Sequence, residues 1–212
     1  MQSDKLRLLE ILREKSVSYG DITLSSGKKS TYYVDSKLTT FDPEGVLLVG
    51  KLVFQLAKDK GKGVSAVGGL TMGADPIAIS TTIAAMHEMY PLKGFSVRKE
   101  AKTHGKRKLI EGNLAVSDKV VILDDVITTG SSTIKAIEAV KEFGCEIVMV
   151  VALVDRREGG MEKIRSLGYD VQSIFSISDL LDSTKMKEVS SNAKSGESNI
   201  FGEKGIFPTQ LV

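Results

Sequence analysis

The chain has 212 residues, of which 42 % are hydrophobic, and a formal net charge of +2. That length suits one ordinary domain with a small appendage, and the near-neutral charge offers no global basic field for nucleic acid. The single cysteine, Cys145, excludes an intrachain disulfide and fits a reducing, cytoplasmic setting, and no run approaches the roughly 20 apolar residues of a membrane span.

In chain order, Ser3 can cap a helix whose apolar residues Leu8, Leu9, Ile11 and Leu12 recur at helical spacing, with an end expected near Gly20. These residues carry charges throughout and lack the apolar core of a secretory signal. The stretch "DITLSSGKKSTYYVDSK" reads as two short strands around a Ser-Gly turn, and Asp42-Pro43 opens a second helix running to Gly61. From there a rhythm sets in. The strands "VSAVGG", "KGFSVR", "KVVILDD", "EIVMVVALVD" and "YDVQSIFS" are mostly continuous apolar runs. They alternate with the helices "ADPIAISTTIAAMHEMY", "SSTIKAIEAVKEFG", "GMEKIRSLG" and "ISDLLDSTKMKEV". A long polar loop is expected from Lys99 to about Ser117. Such alternation predicts an α/β fold: a central, mostly parallel, doubly wound sheet of about five strands, covered on both faces. The expected layout is one domain over 1–189, with an accessory helix and small layer in 1–60 and the sheet core in 61–189. Residues 190–212 read as a weakly ordered tail rich in Ser, Asn, Gly, Lys and Glu.

The stretch "VVILDDVITTGSS", residues 120–132, carries chemistry. An apolar strand ends at Asp124 and Asp125, then turns into a helix. Ligands of open α/β sheets bind beyond the carboxyl ends of the strands. The N–H groups of Val126, Ile127, Thr128, Thr129, Gly130, Ser131 and Ser132 would converge near a helix N-terminus, with four hydroxyls beside them, as a nest for one phosphate. No Lys follows in the manner of a nucleoside-triphosphate loop, so a monophosphate on a sugar is expected. The two carboxylates can accept bonds from ribose hydroxyls and help hold Mg²⁺ through water. A second feature is the basic loop "VRKEAKTHGKRKLIEG", suited to a leaving group on which negative charge builds. A mobile lid there would also keep water from an activated sugar.

The first stretch closely resembles the phosphoribosyl pyrophosphate signature of type I phosphoribosyltransferases. "RKEAKTHG" resembles the catalytic loop of the orotate branch of that family. "LSSGKKSTYYVDSK" is similar to its base-site segment, "VGGLTMGADPIA" to its pyrophosphate loop, and "ALVDRREGG" to the strand and turn whose Arg contacts the orotate carboxylate. The resemblance spans about Asp21 to Leu181. It implies transfer of a 5-phosphoribosyl group from phosphoribosyl pyrophosphate to orotate, giving orotidine 5'-monophosphate in pyrimidine (UMP) biosynthesis. By the same resemblance, Asp124 and Asp125 would face the ribose hydroxyls, residues 126–132 would hold the 5-phosphate, and Arg98, Lys99, Lys102 and His104 would meet pyrophosphate, with Lys102 and His104 catalytic alongside the two acids. Thr128, Arg156, Tyr33 and Ser25 would bind orotate. The family also implies a homodimer whose loop reaches the neighbouring site, and Mg²⁺ held mainly by substrate with no direct protein ligand. A peptide bond aligned with Leu70–Thr71 is cis in family members.

Ser25 and Met72 stand where many relatives carry Lys, and Lys28 or Lys29 is a candidate to compensate. Arg156 suits a planar carboxylate, which argues against a purine base as acceptor. A regulator that senses the same sugar would need a nucleic-acid surface. No helix-turn-helix pattern or aromatic-interleaved basic patch is present. Cys145 reads as core, and His87, late in a helix, as structural or solvated.

Overall fold

The computed structural model describes residues 2–23, 27, 29–60, 63–100 and 109–182. The chain divides into two compact units. One comprises Met1–Val17 and Val34–Leu181, the other Ser18–Tyr33 and Asp182–Val212. Strands β1 (Val17–Thr23) and β2 (Lys29–Val34) form a two-stranded sheet. In the second unit the Tyr19 hydroxyl accepts the Asp182 N–H at 2.7 Å.

The first unit holds a six-stranded sheet made of β3 (Ala66–Leu70), β4 (Lys93–Val97), β5 (Ile110–Gly112), β6 (Lys119–Ile127), β7 (Glu146–Asp155) and β8 (Val171–Ser176). Their order is β5-β4-β3-β6-β7-β8, with every pair parallel except β4 and β5. The five parallel strands coincide with the five apolar runs of the sequence. The helices that join them are α4 (Ala74–His87), α5 (Ser131–Phe143) and α6 (Gly160–Ser166), followed by the short α7 (Ile177–Leu180). Earlier in the chain lie α1 (Gln2–Ile11), α2 (Lys37–Thr40) and α3 (Pro43–Lys60). Helices α1 and α3, expected within an accessory layer, belong to the unit that contains the sheet.

The chain runs outward from β3 to β4 and β5, then returns to β3's other side with β6. That makes the carboxyl ends of β3 and β6 the switch point of the sheet, where an open α/β fold leaves a crevice. Strand alternation sets what faces each side. Val120 and Ile122 pack with Ala136, Ile137 and Val140 of α5 in the buried core. Asp124 is in phase with them, and Asp125 therefore points to the opposite face.

Two element boundaries differ from expectation. The first helix ends at Ile11 rather than near Gly20, and residues Leu12–Ser16 widen into a π-helical turn. The buried Ser16 hydroxyl bonds Thr39 Oγ1 at 2.7 Å, and the Arg13 guanidinium donates to the Asp179 carbonyl, so tertiary partners stop the helix early. The loop expected over 99–117 contains β5, whose Ile110 is buried beside Val97 on the sheet edge. Helix α7 is described as far as Leu180, and the rest of the expected final helix and tail lies outside the described residues.

Candidate functional site

The apolar residues of β6 carry two carboxylates to the switch point. Asp124 is only 6 % exposed. Its Oδ2 accepts the Thr133 hydroxyl of α5 at 2.6 Å, and its Oδ1 accepts the Asp125 N–H at 3.0 Å. Burial pushes its carboxyl up to about 7. The neighbouring Asp125 charge pushes the same way, and the Thr133 hydrogen bond opposes both. Asp125 is better exposed. Its Oδ2 accepts the Ser36 hydroxyl at 2.6 Å and its Oδ1 accepts the Val126 N–H at 2.9 Å. Gly73, from the loop after β3, lies directly beneath it. A Cβ built on Gly73 would stand 2.6 Å from the Asp125 carboxyl carbon, so only glycine leaves the carboxylate its place.

The turn after β6 is shorter than expected. Val126 and Ile127 still pair with β7, opposite Val154 and Asp155, and Ile127 is buried in the core. The turn itself is 128–130. Gly130 adopts φ +77° and caps α5. Among the described residues the N–H groups of Thr129 and Gly130 meet no acceptor, and those of Ser131 and Ser132 are orphaned by position in the first helical turn. The exposed Thr129 and Ser131 hydroxyls lie 3.0 Å apart. Four consecutive open donors at the positive end of α5 suit a phosphate.

A second turn, 156–160, packs onto the first. The Gly160 N–H donates to the Thr128 carbonyl at 3.0 Å, and the Arg156 N–H donates to the Ile127 carbonyl at 3.0 Å. A Cβ on Gly130 would sit 3.1 Å from the Gly160 carbonyl oxygen. Arg156 is thereby held beside Thr128, its side chain largely buried and its Nη2 3.0 Å from Glu158 Oε1.

Arg98 and Lys99 follow β4. The Arg98 guanidinium pairs with Glu111 at 3.4 Å. Both basic residues line a cleft shared with Leu70, Lys135, Glu138 and Glu142. Lys102, His104 and Ser25 lie outside the described residues. Tyr33 is exposed on β2, in the second unit. Met72 is exposed, and the cis peptide bond falls at Thr71–Met72, one residue beyond the position expected. The Thr71 N–H still donates to Val97 O at 2.8 Å, so the ladder of β3 and β4 runs one residue further than the sequence suggested.

Sequence reading missed Ser36, Gly73, Thr133 and Gly160. Each acts through a partner remote in sequence, apart from Thr133, whose hydroxyl lies in the first helical turn after the D-D pair, nine residues from its carboxylate partner Asp124. Among the described residues no three His, Cys, Asp or Glu side chains gather to hold a metal. Asp125 and the nearly buried Asp124 fit a Mg²⁺ held chiefly by a ligand's own oxygens, with the protein reached through water.

A family model described as "Phosphoribosyl transferase domain" matches residues 43–179. An orotate phosphoribosyltransferase of Aquifex aeolicus is 45 % identical over 181 residues, covering 84 % of this chain and 98 % of the relative. One from Rhodopirellula baltica is 40 % identical over 180 residues, covering 83 % and 93 %. Among solved structures, the orotate phosphoribosyltransferase of Mycobacterium tuberculosis in complex with 5-phospho-alpha-D-ribosyl 1-diphosphate superposes with a TM-score of 0.72 at 36 % identity, covering 84 % of this chain and 98 % of that one.

Proposed function

This chain belongs to the phosphoribosyltransferases, in their orotate branch, and from that premise we propose that it is a pentosyltransferase joining orotate to the 5-phosphoribosyl group of phosphoribosyl pyrophosphate. The products are orotidine 5'-monophosphate and pyrophosphate, a step of pyrimidine (UMP) biosynthesis. The observation that carries the reading is the packing of the 156–160 turn on the 128–130 turn. It joins the backbone of Arg156, a residue type suited to a planar carboxylate, to the turn whose open N–H groups suit a phosphate.

In this mechanism the open N–H groups and hydroxyls of 129–132 bind the 5-phosphate, and Asp125 accepts a ribose hydroxyl. Asp124, behind it, fixes the end of β6 to α5 through Thr133. Arg156 and Thr128 orient orotate, with Tyr33 and Ser25 from the base-site segment. The orotate ring nitrogen attacks the anomeric carbon as the bond to pyrophosphate breaks through an oxocarbenium-like transition state. No enzyme nucleophile is required. Arg98, Lys99, Lys102 and His104 stabilise the charge that builds on the departing group. Bound Mg²⁺, reached by Asp124 or Asp125 through water, would add positive charge to that leaving group.

The active form is a homodimer with the 99–108 loop serving the neighbouring site. Two features support this. The resemblance of the "RKEAKTHG" loop to the orotate branch implies a loop that reaches the neighbouring site. Helix α4 also exposes Ile79, Ile83 and Met86 at spacings of four and three residues, a stripe that a second copy would cover. The lone thiol, Cys145, supports a reducing cytoplasm as the setting, and among the described residues no helix is long and apolar enough to cross a membrane. Orotate absorbance, followed with purified protein, phosphoribosyl pyrophosphate and Mg²⁺, tests the assignment. Loss of orotate is expected. Turnover of hypoxanthine or adenine with orotate untouched would overturn it.

A further inference from the structure

Asp75, in the first turn of α4, has no part in the mechanism above, yet both oxygens of its carboxylate accept a hydrogen bond. Its Oδ2 accepts the Thr71 hydroxyl at 2.6 Å, and its Oδ1 accepts the Ser96 hydroxyl of β4 at 2.7 Å. An acid that served only to cap its own helix would direct an oxygen to backbone N–H groups of that helix. Here each oxygen instead takes a hydroxyl from a different element, one on the β3–α4 loop and one on the neighbouring strand. The Thr71 N–H donates directly to Val97 O of β4 at 2.8 Å, and Asp75 bridges the Thr71 hydroxyl to Ser96 of the same strand, so the loop is fastened to β4 at two points.

What the loop presents makes this fastening consequential. Among the described residues the N–H groups of Met72 and Gly73 meet no acceptor, two consecutive donors open to an anion. Gly73 is also the floor beneath the Asp125 carboxylate. A loop free to shift would displace both. Met72 brings no positive charge, so the loop's attraction for an anion comes from backbone donors, whose strength depends on fixed direction.

We propose that Asp75 is a positioning residue, clamping the β3–α4 loop to β4 so that the Met72 and Gly73 N–H groups face the diphosphate arm of the sugar substrate. The identity of that arm depends on the function proposed above. The negative charge of Asp75 is not what the clamp needs. An amide keeps one acceptor and gains a donor to which a hydroxyl oxygen can respond.

The test compares Asp75→Ala, Asp75→Asn and Ser96→Ala in the full chain with Mg²⁺. Pyrophosphate binding is read by calorimetry, and KM is measured for both substrates. Asp75→Ala should weaken pyrophosphate and raise KM for phosphoribosyl pyrophosphate by about tenfold, the scale of a lost charged hydrogen bond, with KM for orotate unchanged. Asp75→Asn should restore both to within about threefold of wild type, and Ser96→Ala should fall between. Unchanged pyrophosphate affinity in Asp75→Ala, or equal effects on both substrates, would overturn the clamp. So would a lowered Tm with both KM values intact, the mark of a purely structural acid. Should Asp75→Ala not fold, Ser96→Ala is read by the same criteria. A wild type that binds pyrophosphate but leaves orotate untouched would instead defeat the functional reading, and the pyrophosphate series would still decide the clamp.

Discussion

The Ser36 hydroxyl donates to Asp125 Oδ2 at 2.6 Å across 89 residues of sequence. Ser36 is buried, just after β2, while Asp125 lies near the end of β6, so this bond fixes the carboxylate proposed to accept a ribose hydroxyl. Ser36→Ala removes the donor without adding bulk. We expect kcat/KM for phosphoribosyl pyrophosphate to fall by several-fold to about tenfold, the range of a hydrogen bond to a charged group. An unchanged value would mean that the Val126 N–H alone orients the carboxylate.

Gly130 is constrained twice, by φ +77° and by the Gly160 carbonyl 3.1 Å from where a Cβ would stand. The turn is therefore packed against the 156–160 turn at this position. Gly130→Ala should lose ribose 5-phosphate binding in calorimetry and also about 1–2 kcal/mol of stability from the left-handed backbone, a fall in Tm of about 2–8 °C. Gly160→Ala, whose Cβ would meet the Gly130 nitrogen at 2.6 Å, should reproduce both effects from the other side. Normal phosphate binding by either variant would place the nest elsewhere.

Asp124 gives a pH signature. Its carboxyl is raised to about 7 by burial, so the folded state holds a proton that the unfolded chain has already released. The associated stability is complete below the ordinary carboxylate range near pH 4 and is lost as the pH rises through about 7. Asp124→Asn removes this dependence. Its amide can donate to the Thr133 hydroxyl oxygen and still accept the Asp125 N–H. In ligand-free, Mg²⁺-free buffer the variant should gain on wild type steadily from pH 4 to pH 8 in urea unfolding, while losing activity. Parallel stability profiles would show that Asp124 is not a raised acid.

Arg156 is held by Glu158 at 3.0 Å, so its charge has a structural partner as well as a proposed substrate. Arg156→Lys keeps the charge and removes the planar fork. KM for orotate should rise by roughly tenfold, with little change for phosphoribosyl pyrophosphate. Equal effects on both would assign Arg156 to the Glu158 pair alone.

The loop in trans can be tested by complementation. Lys102→Ala and Asp125→Asn homodimers should each be nearly inactive. After subunit exchange about half the dimers are mixed, each with one intact site, so activity should climb towards about a quarter of wild type. Heterodimers seen by native mass spectrometry without recovered activity would show that Lys102 serves its own chain.

The strand–turn–helix of residues 119–143 was legible in the sequence because its signals are local: an apolar run, two acids, a glycine at the only left-handed position of the turn, and helical spacing after it. The five parallel strands were legible for the same reason. Local pattern does not encode which face of β6 each acid takes relative to the rest of the chain, nor how deeply it is buried. Asp124 and Asp125 look alike in sequence, yet alternation sends one into the α5 face, where burial raises its proton affinity, and the other over Gly73 and beneath Ser36. The early end of α1, the short edge strand β5, the contact of Gly130 with Gly160 and the Asp75 bridge to Ser96 were decided in the same way. Each depends on a partner brought close only when the sheet assembles, and one side of such a contact leaves no periodicity to read.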